Sequence, residues 1–413
     1  MNRRDFFQSS VGAALSAQLL PQAFAQAPAA PAATRKLIVD AYTRHLQWLR
    51  NPDEVADAAV EMGYDGLDIT VVPYPGHVDP SKVKTELPPF VNAARKRGLR
   101  VTTMRCTITD ADTPNAEDML QAASSLGLTH YWGGTFRYDL TKPIADQLEA
   151  LKPRLAKLVV LLEKYKMTAM YHTYSGSGSV GSAIWDLLSV FRNFDPKRVG
   201  FHYDVGHMMD AGYASWDLNL RAAAAYIAGV SVKDSVIELN QGVTGGGGPF
   251  TGTPASLNAG RGGGGRGPAG ASGAGGRGGP GGPPVASAAV PPAPGGAAGA
   301  SGGRGGRGGG GRGGGPGGPG GGAAGGGRGG GGAANPWRIR QVPLGEGLDN
   351  LPLLGTILRD IGFSGPLEIQ AEYPNGGANN ASDSITLPRA QVLGAMKRDL
   401  LVLRTAFAES GWV

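Results

Sequence analysis

The segment HYDVGH, residues 202–207, places two histidines and an aspartate within six positions at the end of a β-rich run. Alternate side chains of an extended strand face the same way, so His202 and Asp204 share one side. His207 follows three residues later and can reach the same cation as Asp204. Asp204 and His207 are therefore predicted to be functional, with a strand-end turn and helix cap as the alternative. His202 is predicted to be a hydrogen-bonded core histidine.

A second polar run lies near the C-terminus in PLEIQAEYP, where Glu368, Gln370 and Glu372 alternate along a predicted strand. Such alternation directs all three side chains to one side. A buried carboxylate is costly without a partner, and a metal ion or a substrate can supply one. The run thus predicts ligand contacts, with a structural role for Glu368 as the alternative.

Three further residues follow or end predicted strands. His172 ends one strand, Lys233 ends another, and His77 lies in the loop after a third. For Lys233 the alternative is a strand-end ion pair with Asp234, and for His77 it is an ordinary surface loop position. These positions become a common site only if the strand ends meet.

The elements that must position these residues alternate regularly between strands and helices. Asn51 and Pro52, for example, are typical of a helix start, since Asn caps and Pro suits the first turn. Eight β-rich runs are each followed by a helical stretch; the runs are residues 36–41, 66–71, 99–104, 130–134, 167–172, 199–204, 229–233 and 366–372.

This alternation predicts parallel strands and, at a count of eight, a single-domain α/β fold of the (β/α)8 TIM barrel type. An open doubly wound sheet is the alternative, but no glycine-rich phosphate turn follows the first strand. Active sites of such barrels lie at the carboxyl ends of the strands, where all the polar residues above are expected.

A glycine-rich tract interrupts the pattern. We divide the chain into a leader, residues 1–27, a first barrel part, 34–240, a disordered Gly/Arg-rich insertion after strand seven, 241–335, and a last barrel part, 336–413. Seven of the 39 Lys and Arg residues lie in the insertion, which has no Asp or Glu, leaving 32 basic against 33 acidic residues elsewhere. The basic charge therefore belongs to the insertion, and its lack of interleaved aromatic residues argues against nucleic-acid binding.

The N-terminus indicates export. Arg3 and Arg4 precede the short apolar run SSVGAALSAQLL and small-residue cleavage sites. This arrangement resembles a twin-arginine signal, and the apolar run is too short to span a bilayer. We expect a periplasmic mature protein without a transmembrane helix, beginning near Gln26 or Pro28.

Several motifs together resemble the sugar phosphate isomerase/epimerase family with a xylose isomerase-like barrel. They include GYDGLDITV, GHVDP, VGFHYDVGH, VSVKD and GFSGPLEIQAEYP, of which VGFHYDVGH is the most specific. The resemblance implies a divalent cation held by a Glu, an Asp, a His and a second Glu, with the two glutamates moving a proton beside the substrate carbonyl.

Carried over by position, Asp204 matches the metal-binding aspartate and His207 the histidine three residues on. The other family positions differ in this sequence. His172 occupies the position of the family's strand-five glutamate, Ser231 that of its strand-seven histidine, and Gln370 that of its strand-eight glutamate. Glu372, two residues later, is expected to take the place of that last glutamate.

The resemblance then implies a cation, Mn, Zn, Co or Mg, held by His172, Asp204 and Glu372. Glu372 or His207 would move the proton and Lys233 would stabilise the enediolate, a Schiff-base role for Lys233 being the alternative. His77, Gln370 and Glu368 are expected to bind substrate.

The predicted function is that of an exported sugar isomerase or epimerase with a small sugar as its substrate, and the sequence is compatible with an oligomer. The alternatives are a lyase or hydrolase of oxidised (3-keto) glycosides and a non-catalytic carbohydrate-binding barrel.

Overall fold

A computed structural model describes residues 35–212, 215–239 and 337–413 of the chain. The expectations of a signal peptide in residues 1–27 and of a disordered insertion in residues 241–335 lie outside these residues. Within the described part, no helix combines the length and the apolar character needed to cross a bilayer.

Eight parallel strands close into a barrel, which confirms the predicted (β/α)8 architecture. Around the barrel each strand pairs with its neighbours in chain order, and the last strand pairs with the first and the seventh. The strands are β1 Asp40–Tyr42, β2 Gly66–Val71, β3 Arg100–Cys106, β4 His130–Gly133, β5 Thr168–His172, β6 Val199–Asp204, β7 Ile227–Val232 and, after two further strands, β10 Leu367–Ile369.

Helices follow the strands and cover the outside of the barrel. They are α1 Pro52–Met62, α2 Val83–Lys96, α3 Ala116–Ser125, α4 Ile144–Tyr165, α5 Trp185–Phe191, α6 Val205–Gly212, α7 Trp216–Ala222, α8 Leu351–Asp360 and α9 Arg389–Ala408. As the sequence predicts, α1 begins at Asn51, whose side chain accepts a hydrogen bond from the Asp53 N–H, with Pro52 in the first turn.

The apolar core has two parts, because a barrel strand is covered on both faces. The larger part fills the space between the sheet and the helices. The smaller part lies inside the barrel, where Tyr42, Trp132 and Met170 pack together. Every residue of β2, β5 and β6 is buried.

An antiparallel ribbon that the sequence reading missed leaves the barrel after β7. Strand β8, Asp234–Leu239, pairs with β9, Trp337–Val342, from the Asp234/Val342 pair to the Leu239/Trp337 pair. The buried Asp234 carboxylate accepts hydrogen bonds from the N–H groups of Gly345, Gly347 and Asp349 and so holds the segment that leads into α8.

Candidate active site

The candidate site is built at the carboxyl ends of the strands. Asp204 is the last residue of β6, His172 is the last residue of β5, and Lys233 follows β7 directly. All three are buried, with exposed fractions of 0%, 3% and 1% respectively. The barrel closure brings together residues that lie far apart in the sequence, as the position of the motifs predicted.

Lys233 lies at the centre of this cluster. Its Nζ is 3.0 Å from Asp204 Oδ2, 3.0 Å from Glu372 Oε2 and 2.9 Å from His207 Nε2. A longer contact of 3.4 Å joins Nζ to Gln370 Oε1. The ammonium group therefore faces two carboxylates, a ring nitrogen and an amide oxygen.

The charges of this cluster stabilise one another. Burial alone would lower the pKa of Lys233, but the carboxylates of Asp204 and Glu372 outweigh burial and raise it. Burial also opposes ionisation of both carboxyl groups, yet Lys233 helps to hold the pKa of Asp204 well below its usual range. Burial raises the pKa of Glu372, but Lys233 and Arg44 outweigh burial and lower this pKa to about 2. Both carboxyl groups are therefore ionised and Lys233 is protonated.

Arg44 is a member of the cluster that the sequence reading missed. Arg44 lies two residues after Tyr42, the last residue of β1. Its Nη1 is 2.7 Å from Glu372 Oε1. Glu372 is thus held between two cations, Arg44 on one oxygen and Lys233 on the other. The position of Arg44 just beyond the first strand is the signal that could have identified it.

His207 lies at the edge of the cluster, where its side chain is 19% exposed. Because Lys233 donates to Nε2, the proton of the neutral ring is on Nδ1, which lies 3.2 Å from Ser175 Oγ. The backbone N–H of His207 donates to Asp204 Oδ1 at 2.8 Å. Burial and the adjacent Lys233 charge lower the pKa of His207 to about 3, so the ring is neutral at pH 7.

Below the cluster, two histidines face each other inside the barrel. His172 Nε2 lies 3.3 Å from Asp204 Oδ2, and His172 Nδ1 lies 3.1 Å from His202 Nδ1. His202 also stacks on Trp132, with ring centroids 4.4 Å apart. His202 is therefore a packed core histidine in contact with the site, in agreement with its predicted structural role.

Glu368 lies one layer deeper than the substrate-binding position predicted for it. It is 2% exposed, its Oε1 accepts a hydrogen bond from Gln370 Nε2, and it faces Asp68. Burial raises the pKa of both carboxyl groups, and the neighbouring Asp68 carboxylate raises the pKa of Glu368 further. We assign the protonated state to Glu368, because Trp132 Nε1 already donates to Asp68.

The structure does not bring His77 to the cluster, although the sequence predicted a substrate contact there. The ring is 5% exposed. Its Nδ1 lies 3.0 Å from Thr70 Oγ1 and its Nε2 lies 3.1 Å from the Leu49 carbonyl oxygen. Both ring nitrogens are thus used inside the protein, and His77 ties its loop to the first strands.

The donor atoms of the cluster include those that a divalent cation prefers. His172, Asp204 and His207 each offer one donor, and the three atoms lie within 4.8 Å of one another. Glu372, the third ligand predicted from the sequence, pairs instead with Arg44 and Lys233. The cluster that the structure forms thus contains His207 in its place.

The arrangement nevertheless does not fit a divalent cation, because Lys233 already occupies the acceptor atoms. A metal would bind Asp204 and His207 at about 2.0–2.2 Å, within about 5 Å of the ammonium group. At 4 Å and an effective dielectric constant of 20, repulsion between charges of +2 and +1 amounts to about 8 kcal/mol. A metal would therefore require Lys233 to move away or lose its proton.

A cavity of about 440 Å³ lies at the opposite end of the barrel, lined by residues that include Arg35, Arg100 and Trp412. Arg100 begins β3, so this cavity is at the amino ends of the strands. Barrel enzymes carry out their chemistry at the other end. We therefore place the candidate site at the Lys233 cluster.

A family model described as a xylose isomerase-like TIM barrel matches residues 56–262, half of the chain. The protein belongs to this family. No curated protein sequence gives a match.

Solved structures with the same fold include D-psicose 3-epimerase from Clostridium cellulolyticum H10, crystallised with D-tagatose. It is 11% identical, with a TM-score of 0.51, and the match covers 90% of this chain and 99% of the other. A 3-keto-D-glucoside 4-epimerase from E. coli is 17% identical with a TM-score of 0.39, over 48% of this chain and 80% of the other. At these identities the likeness concerns the fold alone.

Proposed function

We propose that this protein is an isomerase or epimerase that moves a proton next to the carbonyl group of a sugar or sugar derivative. The observation that carries the proposal is the 3.0 Å contact between Lys233 Nζ and Glu372 Oε2 at the mouth of the barrel. A fixed positive charge beside a carboxylate is what enolisation requires, since one group stabilises the oxyanion while the other takes the proton. Family membership and the epimerase fold of similar structures support the same reaction class.

In the proposed reaction the substrate carbonyl oxygen becomes an acceptor for Lys233 in place of Glu372 Oε2. Glu372 then loses contact with one of the two cations that lower its pKa to about 2, so its basicity rises when substrate binds. Glu372 removes the proton α to the carbonyl, and Lys233 stabilises the enediolate oxygen. The side chain of Glu372 is 21% exposed, which leaves it accessible to a ligand.

The proton returns to the substrate from Glu372 or from a second group. His207 is placed for that second role, because its Nδ1–H faces Ser175 while Lys233 donates to its Nε2, so a proton lost from Nδ1 can be replaced at Nε2. Return by the same carboxyl group to the former carbonyl carbon, with the proton of the neighbouring hydroxyl passing to the original carbonyl oxygen, gives isomerisation. Return to the original carbon from a group on its opposite face gives epimerisation. Tyr174, whose ring is 5.2 Å from that of His207, offers an aromatic surface to a sugar.

The substrate class that we propose is a free sugar or sugar acid, and the proposed location is the periplasm. The twin-arginine-like leader around Arg3 and Arg4 supports export. Cell fractionation of the full chain checks this location, with R3K/R4K as the variant expected to remain in the cytoplasm. Wild-type protein retained in the cytoplasm would contradict it.

The test of function is proton exchange in D2O. Mature protein is incubated with ketoses, aldoses, sugar acids and 3-keto-glycosides, with and without Mn2+, Zn2+, Co2+ or Mg2+, and deuterium at the carbon next to the carbonyl is measured by NMR. We expect incorporation together with an isomeric product, and its loss in E372Q. The matched control is E346Q, a surface carboxylate paired with Arg398.

Two results would overturn the proposal. Release of an aglycone without an isomeric product would indicate glycoside cleavage, the alternative reaction class. Sugar binding without exchange on any substrate, under any of the metal conditions, would indicate a carbohydrate-binding barrel.

A further inference from the structure

The side chain of Lys233 is buried in the barrel along its whole length. Its side chain is 2% exposed, and its stem packs against Gly206 in the VGH segment that follows β6. A Cβ added at Gly206 would lie 2.6 Å from Lys233 Cγ and 2.9 Å from its carbonyl oxygen. Glycine at position 206 therefore makes the room that the lysine stem occupies.

The ammonium group also uses the atoms on which a metal would depend. Three acceptors surround it at 2.9–3.0 Å: Asp204 Oδ2, Glu372 Oε2 and His207 Nε2. An ammonium group has three donors, so this arrangement satisfies all of them. Within residues 35–212, 215–239 and 337–413, the only cluster whose donor atoms could hold a metal ion is formed by His172, Asp204 and His207. Asp204 and His207 are therefore both potential metal ligands and acceptors for Lys233.

The charges in direct contact with Lys233 and Glu372 already balance. Asp204 and Glu372 supply two negative charges, while Lys233 and Arg44 supply two positive ones. His172 and His202 add no charge, since burial lowers the pKa of both rings and the hydrogen bond between their Nδ1 atoms requires one unprotonated nitrogen. A divalent cation would leave two uncompensated positive charges in a buried site, which is strongly unfavourable.

We propose that the Lys233 ammonium group is the permanent cation of this site and takes the place of a divalent metal, so that removing Lys233 uncovers a metal site formed by His172, Asp204 and His207. The electrophilic role of Lys233 rests on the proposed function, whereas the metal content and the uncovered site do not. An imidazole–carboxylate–imidazole set is suited to Zn2+ or Co2+.

The first experiment measures metal in the wild-type mature protein. Protein is dialysed against chelator and then against metal-free buffer, and metal is determined by elemental analysis before and after incubation with Zn2+, Co2+ and Mn2+. We expect far less than one ion per chain in both samples. If the D2O assay detects turnover, chelation and metal addition should change it by less than about twofold. One tightly held ion per chain that turnover requires would overturn the inference and leave the proposed function intact.

The second experiment tests the uncovered site. K233M is titrated with Zn2+ by calorimetry and with Co2+ by visible absorption, where an intense d–d band reports a four-coordinate site. We expect one ion per chain, bound at least about a hundredfold more tightly than by wild type, because the competing charge is gone. The K233M/D204N double variant should lose this binding. K157M, which removes an exposed lysine of α4, is the matched control and should behave as wild type.

Equal metal affinity in wild type and folded K233M would overturn the inference. K233Q serves as a second variant if K233M does not fold, and the wild-type measurement decides the question of resident metal without either variant. Absence of turnover on every substrate would count against the proposed function alone.

Discussion

The Nδ1 atoms of His172 and His202 lie 3.1 Å apart across β5 and β6, so one of these two ring nitrogens must donate to the other. The direction follows from Asp204. Its ionised Oδ2 lies 3.3 Å from His172 Nε2 and can only accept, which places the His172 proton on Nε2. His202 must then carry its proton on Nδ1. A single carboxylate thereby fixes the tautomers of two buried rings.

This relationship and the contact between Lys233 and His207 Nε2 predict the tautomers of three histidines. His172 should be the Nε2–H form, while His202 and His207 should be the Nδ1–H form. The chain has six histidines, so 15N-histidine labelling and long-range 1H–15N correlation can assign each ring with one His→Gln variant per position. A His172 ring protonated on Nδ1 would contradict the assignment and would indicate that Nε2 binds something other than Asp204.

The two glutamates near β10 should respond very differently to amide substitution. Glu368 is already neutral because burial and Asp68 raise its pKa, so E368Q should keep activity within a few-fold of wild type. E372Q removes a charged partner of Lys233 and the proposed base, and should lower kcat/KM by at least about a hundredfold. Steady-state kinetics on the substrate found by D2O exchange compares them. A loss in E368Q as large as that in E372Q would give Glu368 a direct catalytic role.

Arg100 should be important for stability at the opposite end of the barrel. Its Nε and Nη2 bind the two oxygens of Asp40 at 2.8 and 3.0 Å, and Asp40 is fully buried. R100M should lower the free energy of unfolding by about 1–3 kcal/mol at pH 8, because the buried Asp40 loses its hydrogen-bonded partner and must take up a proton, which costs about 1.4 kcal/mol one unit above its pKa. Urea denaturation measures this loss.

The cost of R100M should depend on pH. Burial raises the pKa of Asp40 to about 7 despite Arg100, so its contribution to stability is present at low pH and is lost as the pH rises through 7. The loss in R100M should therefore be smaller at pH 5, and D40N/R100M should recover part of it at pH 8. Equal losses at both pH values would show that Asp40 keeps its charge without Arg100.

His77 should make the fold sensitive to acid. Burial, with a smaller effect of Arg50, lowers its pKa to about 4, whereas an unfolded histidine titrates near 6.5. The unfolded state therefore binds the proton more tightly, and stability is lost as the pH falls from 6.5 towards 4. From pH 7 to 5 this one ring should account for about 2 kcal/mol.

H77Q isolates that contribution. The variant should be less stable than wild type at pH 7, because Thr70 and the Leu49 carbonyl lose well-placed partners, but its stability should fall less between pH 7 and 5. Denaturant unfolding at both pH values gives the change in the free energy of unfolding with pH for each protein. An equal loss of stability from pH 7 to pH 5 in wild type and H77Q would show that the His77 ring titrates normally in the folded state.

The strand and helix order could be predicted from the sequence because periodicity and caps are local. Helix α4 occupies the predicted range 144–165, and β6 occupies 199–204. The two-residue alternation of a strand did not predict the position of Glu372 correctly, because the last barrel strand ends before this residue. Strand β10 ends at Ile369, and the Glu372 N–H then donates to the Gln370 carbonyl in a tight turn. Glu372 therefore reaches Lys233 through a turn and not through the two-residue repeat of a strand.

The charge arrangement of the site could not be predicted from the sequence, although most of its residues could be. Lys233, Asp204 and Glu372 were selected by their strand-end positions, but no spacing states that one ammonium group contacts both carboxylates. Arg44 was missed because the first strand was predicted to end at residue 41, which left Arg44 in an unassigned loop. Distances between side chains from different strands arise only from barrel closure.

The pairing of Leu239 with Trp337 in the β8–β9 ribbon has a consequence for the length of the connection between these two residues. Neighbouring strands are about 5 Å apart, so the chain leaves the ribbon and re-enters it at almost the same point. The route from β7 to α8 is consequently the same for a short connection as for a long one. Residues can therefore be added or removed between those two positions without a change in the barrel.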